Sequence, residues 1–279
     1  MFICIDQLDE NWLQGEIPEY SKILINLIQA CQHINTQSNF KNRIRAIIFL
    51  RTDIYETLMF NDKNKIYQDS AVEIRWDTTA LDSMFHERIK RYAPGPVSLD
   101  VSRKSNCIFD VRNVRHGATP FTHILRRTFY RPRDIIVYMN KIRNIHSADK
   151  NGLYSSKDIY GAEKDYSLSM YQELLDEWGN QRPDILKEMM VLQTIGVQSF
   201  ATDEYVQIHK QVLEHDDRGR ALESLRFFFF NSIVGQKITA NWEYVCVNPY
   251  MQLDIEKNFH VNSGLKDRLM LTENRSTRA

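Results

Sequence analysis

Phe2-Ile3-Cys4-Ile5-Asp6-Gln7-Leu8-Asp9-Glu10 is the stretch on which the reading of the whole chain turns. Four apolar residues in a row fit a short buried strand, and the run stops at an acid. In open α/β sheets, ligands bind outside the carboxyl ends of strands. A carboxylate there suits a hydrated magnesium ion, which takes one or two carboxylates and otherwise keeps water and substrate phosphates. The plainer role is a solvated loop after a strand.

Working outward, Ser21 to Ile34 predicts a helix with Ile23, Leu24, Leu27, Ile28 and Cys31 on one face. Ile44 to Leu50 predicts a second strand, ending in Arg51-Thr52-Asp53, and Ala71 to Trp76 a third. Leu81, Met84, Phe85 and Ile89 then recur at helical spacing. Strands alternating with helices argue for a parallel sheet. From Tyr92 to Pro120 periodicity is lost. Ala93-Pro94-Gly95-Pro96 is a sharp break, because proline blocks helix and disfavours it in the residue before. A short strand at Cys107 to Val111 is expected inside this connector.

The remainder reads as helices. Thr119 caps a helix from Pro120 through Leu125, and Pro132 opens another with Ile135, Ile136, Met139 and Ile142 inward. Further helices are expected over Glu163–Trp178, Pro183–Ile195, Thr202–Glu214 (capped by Thr202) and Arg218–Val234. Ile238, Ala240, Trp242, Tyr244 and Cys246 alternate as a half-buried strand does. Asn258 to Val261 forms a return strand, and Leu265 to Leu271 a last helix. Three helices followed by a two-strand hairpin is the order of a winged helix.

Composition narrows the field. The 279 residues carry 36 basic and 36 acidic side chains, which excludes nucleic-acid binding by bulk charge. No apolar run approaches the roughly 20 residues that span a bilayer. Cys4, Cys31, Cys107 and Cys246 are scattered without a C-x-x-C pair, as expected for reduced thiols in a cytoplasmic protein. There is no H-E-x-x-H, and His209 and His215, six apart, would lie off-face for joint ligation. No G-x-S-x-G occurs.

Three clusters carry chemistry. Asp6, with Asp9 and Glu10 close behind, looks like a Walker B segment. Asp6 would hold Mg²⁺ through water, and Asp9 or Glu10 would orient an attacking water. Arg51-Thr52-Asp53 stands at another strand end, where it could sense a γ-phosphate; the plainer role has Asp53 capping a helix from Ile54 to Phe60. Arg131-Pro132-Arg133-Asp134 opens a helix, where backbone donors and the dipole favour an anion and arginine adds a forked donor. The plainer role is an exposed basic turn.

Taken in order, Ile5-Asp6-Gln7-Leu8-Asp9, Phe49-Leu50-Arg51-Thr52-Asp53-Ile54, Arg131-Pro132-Arg133-Asp134 and Phe259-His260-Val261-Asn262-Ser263-Gly264-Leu265 resemble the back half of an AAA+ or STAND-like P-loop ATPase. The likeness is to a bacterial family often associated with anti-phage defence, and it covers nearly the whole chain. It implies an α/β amino-terminal part, an incomplete parallel sheet of a P-loop NTPase, followed by an α-helical lid and a carboxyl-terminal winged helix. The expected divisions are 1–92 for the back half of the core, 93–118 for the connector, 119–180 for the lid and 181–279 for the winged helix. The cofactors implied are ATP and Mg²⁺, lying between sheet and lid. The implied roles are Asp6 on the metal, Asp9 or Glu10 at the water, Arg51 or Asp53 at the γ-phosphate, and Arg131 and Arg133 at the phosphates.

Two departures shape these expectations. Gln7 stands where the family has a second acid, which weakens the case for turnover. No G-x-x-x-x-G-K-[ST] occurs, nor any Gly-Lys pair. In the family the P-loop strand precedes this region and lies between the Ile44–Leu50 and Ala71–Trp76 strands. The chain is therefore expected to be a fragment that needs an upstream segment or a partner chain, to be inactive alone, and to be compatible with a homo-oligomer. The alternative is a non-enzymatic winged-helix module that binds nucleic acid or acts as an adaptor. It is less favoured, because the helix that would read DNA carries Phe227 to Phe230.

Overall fold

A computed structural model describes residues 1–8, 17–37, 43–92, 101–146 and 152–273. The chain packs as two units, Met1–Arg75 with Asn180–Pro183, and Trp76–Gly179 with Asp184–Ala279. Secondary structure is mostly helical, with two small sheets.

In the first unit, β1 (Phe2–Ile5) pairs in parallel with β2 (Arg45–Ile48), Phe2 opposite Arg45 and Ile5 opposite Ile48. Between them runs α1 (Ile17–Thr36), which buries Leu24, Ile28 and Cys31. Ile23, expected inward, is exposed. The chain continues into α2 (Thr52–Thr57) and α3 (Lys63–Ser70). Leu24 and Ile28 pack with Ile54, Leu58 and Ile66 to form this unit's core. Helix α3 falls where the sequence shows no clear period; its one buried residue is Ile66.

Ala71–Trp76 is not a strand. Among the described residues it belongs to neither sheet, and it is exposed throughout, with Val72 at 88% and Ile74 at 71%. Its alternating apolar residues gave the strand reading, but among the described residues no neighbouring strand accepts its backbone.

The second unit opens with α4 (Thr78–Tyr92). The expected strand at Cys107–Val111 is instead the end of a 3-10 segment, Val101–Ile108, followed by a single bridge from Phe109 to Tyr154. Thr119 does cap α5 (Pro120–Leu125), accepting from the Thr122 N–H. Pro132 opens α6 (Pro132–Ile145). Helix α7 (Ser156–Trp178) starts a full two turns before the expected Glu163, because Ser155 and Asp158 form a reciprocal capping box.

Helix α8 (Ile185–Ile195) leads to β3 (Ser199–Phe200), α9 (Thr202–Val212) and α10 (Arg218–Phe230). The sheet is completed by β4 (Val234–Ile238), β5 (Asn241–Glu243) and β6 (Phe259–Val261), in the antiparallel order β3-β6-β4-β5. Where one alternating strand was expected over Ile238–Cys246, Thr239 takes φ 56° and reverses the chain into β5. Ala201, not Thr202, is the N-cap of α9, and the Thr202 hydroxyl donates to the Ile255 carbonyl. Helix α10 stops at Phe230, short of the expected Val234. The final segment, Leu265–Leu271, is a series of turns rather than a regular helix.

A continuous core runs through the second unit, from Leu81 and Phe85 through Tyr138, Tyr166 and Leu192 to Phe228, Phe229, Phe259 and Leu265. Phe228 and Phe229 are fully buried, whereas Phe230 is 52% exposed. The aromatic run therefore serves mainly as a core face. Among the described residues no helix is long and apolar enough to cross a membrane.

Candidate functional site

The parallel pairing of β1 with β2 sets the geometry of the first unit's candidate site. The strands end together, and the Phe49 N–H donates to the Ile5 carbonyl at 2.8 Å. Asp6 leaves one strand and Arg51-Thr52-Asp53 leaves the other, so both clusters stand at the same end of the sheet. Asp6 is exposed and accepts from the Gln7 N–H at 2.8 Å, with Gln7 in the left-handed region at φ 62°. Asp9 and Glu10 lie outside the described residues.

Arg51 and Asp53 bind each other. The guanidinium donates from Nε to Oδ1 at 3.1 Å and from Nη2 to Oδ2 at 2.8 Å. Asp53 therefore does not cap the helix as the plainer reading had it. Arg51 is the N-cap of α2, with no side-chain cap, and Asp53 sits in the first turn. The fork fixes the arginine beside the strand end.

In the second unit, the arginines at the start of α6 meet acids one turn apart on α7. Arg131 Nη1 lies 3.1 Å from Glu177 Oε2, and Arg133 pairs through Nη2 with Glu173 Oε1. Arg131 also lies over the Phe129 ring, 5.6 Å from its centre. The guanidiniums are thus not a bare basic turn; each is held by a carboxylate. Asp134 is buried and accepts from the Phe129 N–H at 2.8 Å. Burial pushes its carboxyl up to about 6, against the pull of that N–H and of Arg131.

One buried polar network escaped sequence reading. His123 Nε2 lies 2.8 Å from Glu163 Oε1, and Arg127 Nη2 lies 3.3 Å from the same oxygen. Burial holds the His123 imidazole below its ordinary value despite Glu163. Burial would raise the Glu163 carboxyl, but the His123 bond and Arg127 outweigh it and hold it low. This network ties α5 to α7. The i to i+4 spacing of His123 and Arg127 was visible in the sequence; their distant acid was not.

The structure also corrects the reading of His209 and His215. Helix α9 ends at Val212 and Glu214 takes φ 55°, folding the chain back. His215 Nε2 then reaches His209 Nδ1 at 3.0 Å, although the residues would diverge on one continuous helix. Among the described residues no three His, Cys, Asp or Glu side chains are placed to hold a metal ion. Cys4, Cys31, Cys107 and Cys246 are free thiols.

With this geometry in place, the stretch from α4 to α7 shows a likeness to a known domain. Residues 79–175 match the FunZ-associated C-terminal helical domain, a span from α4 through most of α7. A more particular likeness is to the putative transposon gamma-delta 80.3 kDa protein of Escherichia coli (strain K12). It is 26% identical over 186 residues, which is 66% of this chain and 25% of that protein. The chain's match thus spans a quarter of the length of this curated relative.

Proposed function

We propose that the chain is the Walker B-to-winged-helix portion of an ATP-dependent P-loop switch, in the setting of bacterial antiviral defence. One observation carries this reading. Two short apolar strands pair in parallel and in register, so that an exposed acid and an Arg–Asp fork follow them at the same end of the sheet. That is where an α/β sheet binds its ligand.

The residues present fit part of Mg²⁺-ATP. A single exposed carboxylate, Asp6, suits an ion that keeps most of its shell as water and phosphate oxygen. The glycine-rich amides and lysine that cradle β- and γ-phosphates do not occur in this sequence and must come from another segment or chain. Bound Mg²⁺ supplies charge neutralisation at the phosphates. On this reading Asp6 positions the ion, Asp9 or Glu10 orients water, and the fork of Arg51 and Asp53 senses the γ-phosphate. Arg131 and Arg133 are the phosphate-binding groups of the lid, and they must first leave Glu177 and Glu173.

The order α8, β3, α9, α10, β4, β5, β6 supports a winged helix, with the β4–β5 hairpin in the wing. The nucleic-acid reading is weaker. On the outer face of α10, Arg218 pairs with Asp203 at 2.9 Å and Arg220 pairs with Asp184, so two of its three arginines are already neutralised.

Titration calorimetry with Mg²⁺-ATP tests the proposal. The chain alone should give no binding heat. The chain joined at its amino end to a strand–loop–helix segment bearing G-x-x-x-x-G-K-[ST] should bind, and Asp6→Asn should remove the Mg²⁺ dependence. Tight binding by the chain alone, or none by a folded fusion, refutes it.

A further inference from the structure

We infer that Asn35 is an edge guard for the parallel sheet, occupying at Ala46 the place of a third strand. Arg45 N–H donates to the Met1 carbonyl at 3.0 Å and Phe49 N–H to the Ile5 carbonyl at 2.8 Å. Alternate residues of a strand bond to opposite sides, so Ala46 and Ile48 turn their peptide groups to the edge away from β1. There Asn35, in the last turn of α1, meets Ala46 twice. Its Nδ2 donates to the Ala46 carbonyl at 2.8 Å, and its Oδ1 accepts from the Ala46 N–H at 2.8 Å.

A primary amide has the donor and acceptor of a peptide group. One side chain therefore reproduces both bonds that an adjoining strand would make at this position. Only an amide can do so, since aspartate lacks the donor and an aliphatic side chain lacks both groups. A strand edge whose peptide groups are left open recruits other strands unless it is blunted.

The strand that the guard gives way to runs parallel to β2. It is the strand of the P-loop segment, and this assignment rests on the function proposed above. In the chain alone Asn35 holds the two peptide groups of Ala46 on this edge. On completion of the sheet the ladder replaces the two amide bonds.

Amide exchange followed by NMR on the full chain tests this. In Asn35→Ala the Ala46 N–H should exchange about tenfold faster, as expected when a local bond is opened without global unfolding. The Arg45 and Phe49 amides, which bond to β1, should be unchanged. Asn35→Asp, of nearly the same shape, keeps the acceptor and should keep most of the protection. Equal Ala46 rates in the wild type and Asn35→Ala overturn the inference. So does equal loss in the Asp and Ala variants, or a matching rise at Arg45 and Phe49. In the P-loop fusion, Asn35→Ala should leave Ala46 protected, because a strand has taken the guard's place; an Ala46 amide that stays fast in a fusion that binds ATP also overturns it. A fusion that binds no ATP counts against the proposed function, while the exchange results on the chain alone still judge the guard.

Discussion

Replacing Asp134 with asparagine should stabilise the second unit at neutral pH and cost it stability in acid. Asp134 is 4% exposed and sits at the start of α6. Burial lifts its carboxyl from the ordinary 3.8 to about 6, so the folded protein holds this proton more tightly than the unfolded chain does. Between those two values the native state carries more protons. Stability therefore falls as pH rises through the window and stays low above it. The full gap corresponds to about 3 kcal/mol at 1.36 kcal/mol per decade. Asparagine keeps an acceptor for the Phe129 N–H and removes the buried charge. Its new N–H₂ group needs a partner, which lowers the expected gain to about 1–2 kcal/mol. Urea melts of both proteins between pH 4 and pH 8 read the effect directly. The variant should be about 1–2 kcal/mol less stable than the wild type at pH 4, gain on it up to about pH 6 and then level off at its favourable value. A variant less stable than the wild type at pH 8 would show that Arg131 and Arg133 favour the carboxylate, and would refute the assignment of burial as the larger cause.

Two further outcomes follow from other contacts. Gly264→Ala should destabilise the second unit by roughly 3 kcal/mol or more, because its Cβ would run into the Arg127 carbonyl oxygen and stand 2.5 Å from Met170 Sδ; a melting temperature within a degree of the wild type would contradict the packing. A gel shift with duplex DNA should show no salt-dependent binding that Arg220→Ala and Arg226→Ala abolish, and a steep salt slope lost in those variants would restore the nucleic-acid reading.

Local signals in the sequence carried well where one residue fixes the backbone. Pro132 at the first turn of α6 and Thr119 as the cap of α5 both act through their immediate neighbours, and the structure holds them there. The Phe2–Ile5 and Arg45–Ile48 strands were legible as apolar runs, and their parallel pairing followed from the intervening helix. Ala71–Trp76 shows the limit, since alternation measures fitness for a sheet and not the presence of a neighbour. The turn at Thr239 and the reversal at Glu214 were invisible, because both depend on left-handed conformations at residues that seldom adopt them. The same holds at the candidate site. Asp6 and the Arg51–Asp53 cluster could be placed at strand ends from pattern alone. Pairing of Arg131 with Glu177, and of Asn35 with Ala46, depends on helices brought together from distant parts of the chain.

The segment after β6 has a mechanical consequence. Gly264 presses on the Arg127 carbonyl, the Arg268 N–H donates to Ser167 Oγ at 2.9 Å, and the Arg268 guanidinium covers the Tyr171 ring at 4.3 Å. Leu265 and Leu269 are buried in the same core. This tail works as a buckle that fastens the small sheet onto α5 and α7. The contacts of Arg268 with Ser167 and Tyr171 thus tie the segment after the sheet directly to α7. A boundary drawn just after α7 would cut the helices away from the strap that closes them.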